Sequence, residues 1–114
     1  MKTHILAPGE IIHVLHRFEK EIKRHFVGEV ECAADGIARV SGYVFVVDDP
    51  LTHLFVKRPD RRVKLVALGD GELLINVLPP AVKLEDVRYE TKDHRLYVTD
   101  GKKWEMDLKE FGWN

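Results

Sequence analysis

Six histidines, His4, His13, His16, His25, His53 and His94, are the residues of this 114-residue chain best suited to metal or proton chemistry. A metal site needs several ligands converging on one point. His13 and His16 are the closest pair, three residues apart. On a helix they would share a face; on a strand they point to opposite faces. The surrounding residues, IIHVLH, read as a strand, which splits the pair. Neither Cys-x-x-Cys nor His-Glu-x-x-His accompanies them. The expectation is ordinary surface or core histidines, with no metal and no cofactor assigned.

The nucleophiles are equally isolated. Cys32 shares strand parity with Phe26 and Val30, so a buried, inert thiol is expected. Ser41 lies in mid-strand without a Gly-x-Ser-x-Gly elbow. Carboxylates are plentiful, but a linear sequence does not show two of them converging, so an acid/base pair stays open. Gly69-Asp70-Gly71 matches neither the P-loop nor the dinucleotide fingerprint, and a hairpin turn accounts for it. No catalytic residue is assigned, and an enzyme is the third-ranked reading.

Nucleic-acid binding is the sharper alternative. Gly42-Tyr43-Val44-Phe45-Val46 partly resembles the aromatic RNP1 strand of RNA-recognition and cold-shock folds. Tyr43 and Phe45 share a face, Arg39 has the same parity, and bases stack on such platforms. Lys57, Arg58, Arg61, Arg62 and Lys64 form a basic cluster able to meet phosphates, with Lys20, Lys23 and Arg24 elsewhere. The departures are Ser41 before the glycine, Val44 at a small-residue position, Asp48 at the final aromatic position, and the missing pair of helices. The candidate nucleic-acid site is therefore Arg39, Tyr43, Phe45, Lys57, Arg58, Arg61 and Arg62. The preferred reading makes Tyr43 and Phe45 core residues and the charges a solvated loop.

The elements that position these groups are read from period-two alternation. Residues 10–16 form a first strand with apolar residues on both faces. Residues 17–25 break the alternation; Phe18, Ile22 and Phe26 are spaced for a short amphipathic helix, and a charged loop fits equally. Two strands follow, from Phe26 and from Ile37 to Val47, joined by an Asp35-Gly36 turn. Gly42 marks a bulge or bend in the second. Strands are expected at 53–57, 62–68 and 72–78, the last two as a hairpin across Gly69-Asp70-Gly71, with ELLINVL lying centrally. AVKLEDV is a crossing segment with up to one helical turn. A hairpin at 87–91 and 95–99 and a strand at 103–108 complete the list, and Phe111 and Trp113 are expected to dock the tail onto the body.

Length and composition fit one domain over residues 1–114. The chain is 45% hydrophobic and 32% charged, ordinary for a globular protein. The net charge of −1 names no polyanionic partner. One cysteine permits no intrachain disulfide and fits a reducing cytosol. MKTHILAPGE has no apolar run of signal-peptide length, and no segment approaches the roughly 20 apolar residues of a membrane span. A cytoplasmic protein without membrane contact is expected.

Two resemblances add to this. GIARVSG, residues 36–42, is similar to a strand in the N-terminal β-barrel of the ATP synthase α subunit, which implies a barrel strand and nothing about ATP. RHFVGEVE, GIARVSGYVFV, Asn76-Val77-Leu78-Pro79 and VTDG with Trp104 resemble a set of small uncharacterised bacterial proteins; no activity is assigned to that group, so it implies no site residue. The combined expectation is an all-β, small antiparallel, partly open β-barrel with at most one short helix. Its function is read as a non-enzymatic binding module with a protein partner, a second copy of itself included, ahead of nucleic acid.

Overall fold

The computed structural model describes residues 5–16, 24–49, 54–93 and 95–108. The fold is all-β and antiparallel. Strands β1 (Ile11–His16), β2 (Arg24–Ala34), β3 (Ile37–Asp49), β4 (Leu54–Lys57), β5 (Arg62–Ala67) and β6 (Leu73–Val77) form one sheet. Its order is β4-β3-β2-β1-β6, with β5 also on β3. Strands β7 (Arg88–Lys92), β8 (Arg95–Thr99) and β9 (Glu105–Asp107) form a second sheet, reached through a 3-10 turn at Leu84–Asp86. No helix among the described residues is long and apolar enough to cross a membrane. The helix-or-loop segment lies largely outside the described residues, as does the aromatic tail; Arg24 and His25 are strand.

Apolar residues on both faces of β1 to β3 are explained by two cores. Ile12, Val14, Phe26, Val30, Val40 and Val44 line the concave face, where Val66 of β5 and Ile75 of β6 meet them from opposite edges. Ile11, Val27 and Phe45 project to the other face and pack against Leu84, Val87, Leu96, Val98 and Leu108 of the second sheet and its approach. The large sheet is therefore curled around one core and covered by another.

It is not closed into a barrel. β4 and β5 share one edge of the 13-residue β3, β4 pairing with Phe45–Asp49 and β5 with Ile37–Gly42. β6 pairs with β1 at the far edge, and no ladder joins β6 to β4 or β5 among the described residues. Two expectations are corrected by this. Gly69-Asp70-Gly71 is a turn, held by Leu73 N–H donating to the Asp70 carbonyl at 3.1 Å, but the strands it joins part to opposite edges and make no hairpin. ELLINVL is an edge strand, not a central one; its apolar residues serve the concave core through Leu73 and Ile75 while Val77 is exposed.

Asp35 and Gly36 adopt φ of 53° and 76°, the paired left-handed conformation of a tight hairpin turn. Just before that turn the expected burial of Cys32 fails. Val30 pairs with Val40 but Cys32 with Arg39, so a bulge places two residues opposite one. Parity reverses there. Ala33 continues the concave face and Cys32 is exposed.

Gly42 faces Gly28 across β2 and β3. A Cβ on Gly42 would run into the Val27 carbonyl and the Gly28 backbone, which have no rotamer to yield. Gly42→Ala should therefore lower stability by about 1–3 kcal/mol, the usual cost of overpacking. A urea-unfolding midpoint equal to that of the wild type would show that the two strands can part freely.

Candidate functional site

The candidate nucleic-acid residues are scattered. Phe45 is 1% exposed, its ring centroid 4.9 Å from that of Tyr89 on the opposing sheet, so no base can reach it. Arg39 lies farther along the outer face, where Nε donates to Glu31 at 2.9 Å. Arg58 is exposed and donates its backbone N–H to Val44 at 2.8 Å. Arg62 has the opposite parity to Tyr43 in the paired register, so it serves the concave face.

Tyr43, Lys57 and Arg61 do come together, around a residue that sequence reasoning missed, Glu85. The half-buried Tyr43 donates its hydroxyl to Glu85 Oε2 at 3.1 Å. Lys57 Nζ stands 4.0 Å from the Tyr43 ring centroid, and the Arg61 guanidinium 5.8 Å. Arg61 also donates to Ser41 Oγ at 2.8 Å and to Glu85 at 3.2 Å. The exposed side of the ring is thus occupied by cations, and a carboxylate partly balances them. This constellation staples β3, β4 and the segment before β5 to the 3-10 turn.

The most unusual chemistry lies between the sheets. His13 of β1 and His25 of β2 are buried, 0% and 1% exposed, and both point toward the second sheet. His13 Nε2 and His25 Nδ1 are 2.8 Å apart, and the Tyr89 hydroxyl is 2.7 Å from the same His25 Nδ1. Asn76 Nδ2 lies 3.3 Å from His13 Nδ1. With the Asn76 amide donating, His13 carries its proton on Nε2 and donates to His25, whose Nδ1 lone pair also faces the tyrosine hydroxyl. The register explains the pairing: His13 opposes Val27, which makes His25 its diagonal neighbour on the same face.

Burial excludes charge from this network. Desolvation pushes the His13 pKa down from 6.5 to about 3. His25 falls further, by burial first and by the nearby His13 second. Burial likewise holds the Tyr89 phenol well above its ordinary value. All three groups are neutral near pH 7. They polarise one another, but buried rings offer a substrate no approach, so the network's chemistry is internal: it ties His13, His25 and Tyr89 together where the two sheets dock.

Sequence reading set His13 against His16 and missed its true partner. The available signal was a histidine at the centre of the run Ile11 to Leu15, where both faces are buried. Among the described residues no three His, Cys, Asp or Glu side chains converge to hold a metal ion. A half-open depression of about 180 Å³ lies on the second sheet, but the ion pairs Arg88–Glu90 at 2.7 Å and Lys92–Glu105 at 3.1 Å line it, so its charges are largely matched.

One further surface is unlike the rest. The outer face of β5 and of the first half of β3 extends past the second sheet and exposes Ile37 at 46%, Val63 at 47% and Leu65 at 69%. Ala67, opposite Ile37, is exposed beside them. β5 pairs only with β3 among the described residues, so its other edge carries free backbone donors and acceptors.

No family model matches the chain, and neither a curated protein nor a solved structure shows significant similarity to it.

Proposed function

We propose that this chain is a non-enzymatic protein-binding module whose docking surface is the outer face and free edge of β5, and that its partner is a second copy of the chain. The observation that carries this reading is the exposed apolar row Val63, Leu65 and Ala67 on a strand with an unpaired edge. Exposed rows of this kind beside a charged rim, here Arg39 with Glu31, are typical of interaction surfaces.

The strand suits pairing with itself. In an antiparallel pair with Leu65 on the two-fold axis, Leu65 opposes Leu65, Val63 opposes Ala67, and Lys64 opposes Val66. Moving the register by one pair brings Lys64 against Lys64, and like charges directly opposite are destabilising. That slip is thereby disfavoured, and pairing about Leu65 gives a closed, isologous dimer. The exposed Cys32 thiol is compatible with a reducing, cytoplasmic setting, which forms part of the same reading. Nucleic acid ranks lower because Phe45 is enclosed and the Tyr43 ring is occupied.

Light scattering at two concentrations tests the proposal. The wild type should shift from monomer toward dimer as concentration rises, and Leu65→Lys should stay monomeric with unchanged thermal unfolding of the monomer. A wild type that remains strictly monomeric at about 1 mM, where even weak associations form, would remove self-association from consideration.

A further inference from the structure

The opposite, concave side of β5 carries a separate feature. Arg62 and Lys64 project to the side of the buried Val66, and Arg24 of β2 to the side of the buried Phe26. By register Lys64 lies opposite Val40, Arg62 opposite Gly42 and Arg24 opposite Val46, a row along the concave face, and the Lys64 side chain reaches along that face to the ring of Phe26, the same-face neighbour of Arg24. The floor is aromatic. A Cβ on Gly28 would meet Phe26 Cε2 at 3.0 Å and Val40 Cγ1 at 2.6 Å, so these side chains fill the space the glycine pair leaves. Lys64 Nζ stands 5.4 Å from the Phe26 ring centroid.

The three charges reinforce one another's cost. Partial burial, with Arg24 and Arg62 nearby, holds the Lys64 ammonium below its ordinary pKa. Among the described residues seven other cations lie within 4.0 Å of a carboxylate oxygen, Arg39 with Glu31 and Arg95 with Asp107 among them. Among the described residues no carboxylate is so placed for Arg24, Arg62 or Lys64. A cluster of three like charges against an apolar floor is an unfavourable arrangement until a counter-charge enters it.

We infer that Arg24, Arg62 and Lys64 form a binding site for a small phosphate-bearing anion. Two guanidinium forks match the paired oxygens of a phosphoryl group, and the lysine adds a point charge. A single carboxylate would leave the cluster two charges in excess, whereas a di- or polyanion balances it. This site and the dimer surface occupy opposite faces of β5, so Lys64→Gln tests one and Leu65→Lys the other.

The test is calorimetric titration of the full chain with pyrophosphate at fixed ionic strength, since exposed charges are strongly screened. Lys64→Gln and Arg62→Gln should each weaken binding about ten-fold, the value of one charge-assisted hydrogen bond. Lys83→Gln and Lys103→Gln, exposed cations elsewhere, should leave it unchanged, and far-UV circular dichroism should show all four variants folded. In a parallel arm, phosphatidylglycerol vesicles should not retain the chain once pyrophosphate is present. Equal weakening in all four variants, or no heat at about 10 mM pyrophosphate, overturns the assignment. Vesicle retention that pyrophosphate cannot compete overturns it in favour of a membrane surface.

Discussion

Between pH 7 and pH 5 this protein should lose about 4 kcal/mol of folding stability through His13 and His25 alone. Both imidazoles are neutral in the folded chain, with pKa values depressed far below 6.5 by burial. In the unfolded chain each takes up a proton near pH 6.5. Below that pH the unfolded state therefore holds two protons that the folded state lacks. Stability is undiminished above pH 6.5 and declines as pH falls, by about 2.7 kcal/mol per pH unit once both unfolded imidazoles are charged. The decline continues until the folded imidazoles themselves protonate near pH 3 and below. Carboxylates contribute in a lower window. Asp100, held below its ordinary pKa first by the Lys102 backbone N–H, adds stability that is lost only as pH drops below the usual carboxylate range.

The loss is large against the roughly 5–15 kcal/mol that holds a domain of this kind together. Urea unfolding at a series of pH values measures it directly. His13→Leu should halve the slope of stability against pH between 6 and 4.5, and His13→Leu with His25→Leu should nearly abolish it, whatever either change does to stability at pH 7. Slope and offset are separate readouts, so a variant that is merely less well packed cannot imitate the result. Equal wild-type stability at pH 7 and pH 5 would mean that the two rings reach water and are not enclosed between the sheets.

Much of this architecture is legible in the sequence, and the parts that are not share a physical cause. Alternation located nearly all the strands because it reports a local property, which side of the backbone each residue faces. Asp35-Gly36 announced its turn because φ above zero is a local demand as well. Cys32 was misplaced because a bulge leaves no residue signature in RHFVGEVECAA, and a single inserted residue reverses every side beyond it. The Gly69-Asp70-Gly71 segment was legible as a turn but not as a divergence, since which edge each strand joins depends on partners far away in sequence. The same limit hid the buried cluster: His13, His25, Asn76 and Tyr89 meet only after β1 has paired with both β2 and β6 and the second sheet has docked. Glu85 was missed for a similar reason, lying 42 positions from Tyr43.

Phe45→Ala should cost about 3–5 kcal/mol, the range for truncating a buried aromatic. Phe45 sits at 1% exposure in the inter-sheet core, against Tyr89 and alongside Val27 and Leu96. Its removal deletes apolar contact and opens a cavity beside the His13–His25–Tyr89 network, whose rings are held in place by that packing. Tyr43→Ala should cost less, because Tyr43 is half-buried and its hydroxyl bonds to a solvent-exposed carboxylate. The comparison discriminates between two roles for neighbouring aromatics on one strand face. Were both rings a platform for bases, each truncation would spare the fold and weaken oligonucleotide binding by about 1–3 kcal/mol per stacked base. Thermal or urea unfolding of the two variants, set beside their affinity for a single-stranded oligonucleotide, separates the cases. A Phe45→Ala protein as stable as the wild type would dissolve the core assigned to the inter-sheet layer. With that core go the burial that keeps the histidines neutral and the docking that leaves the first half of β3 and β5 exposed.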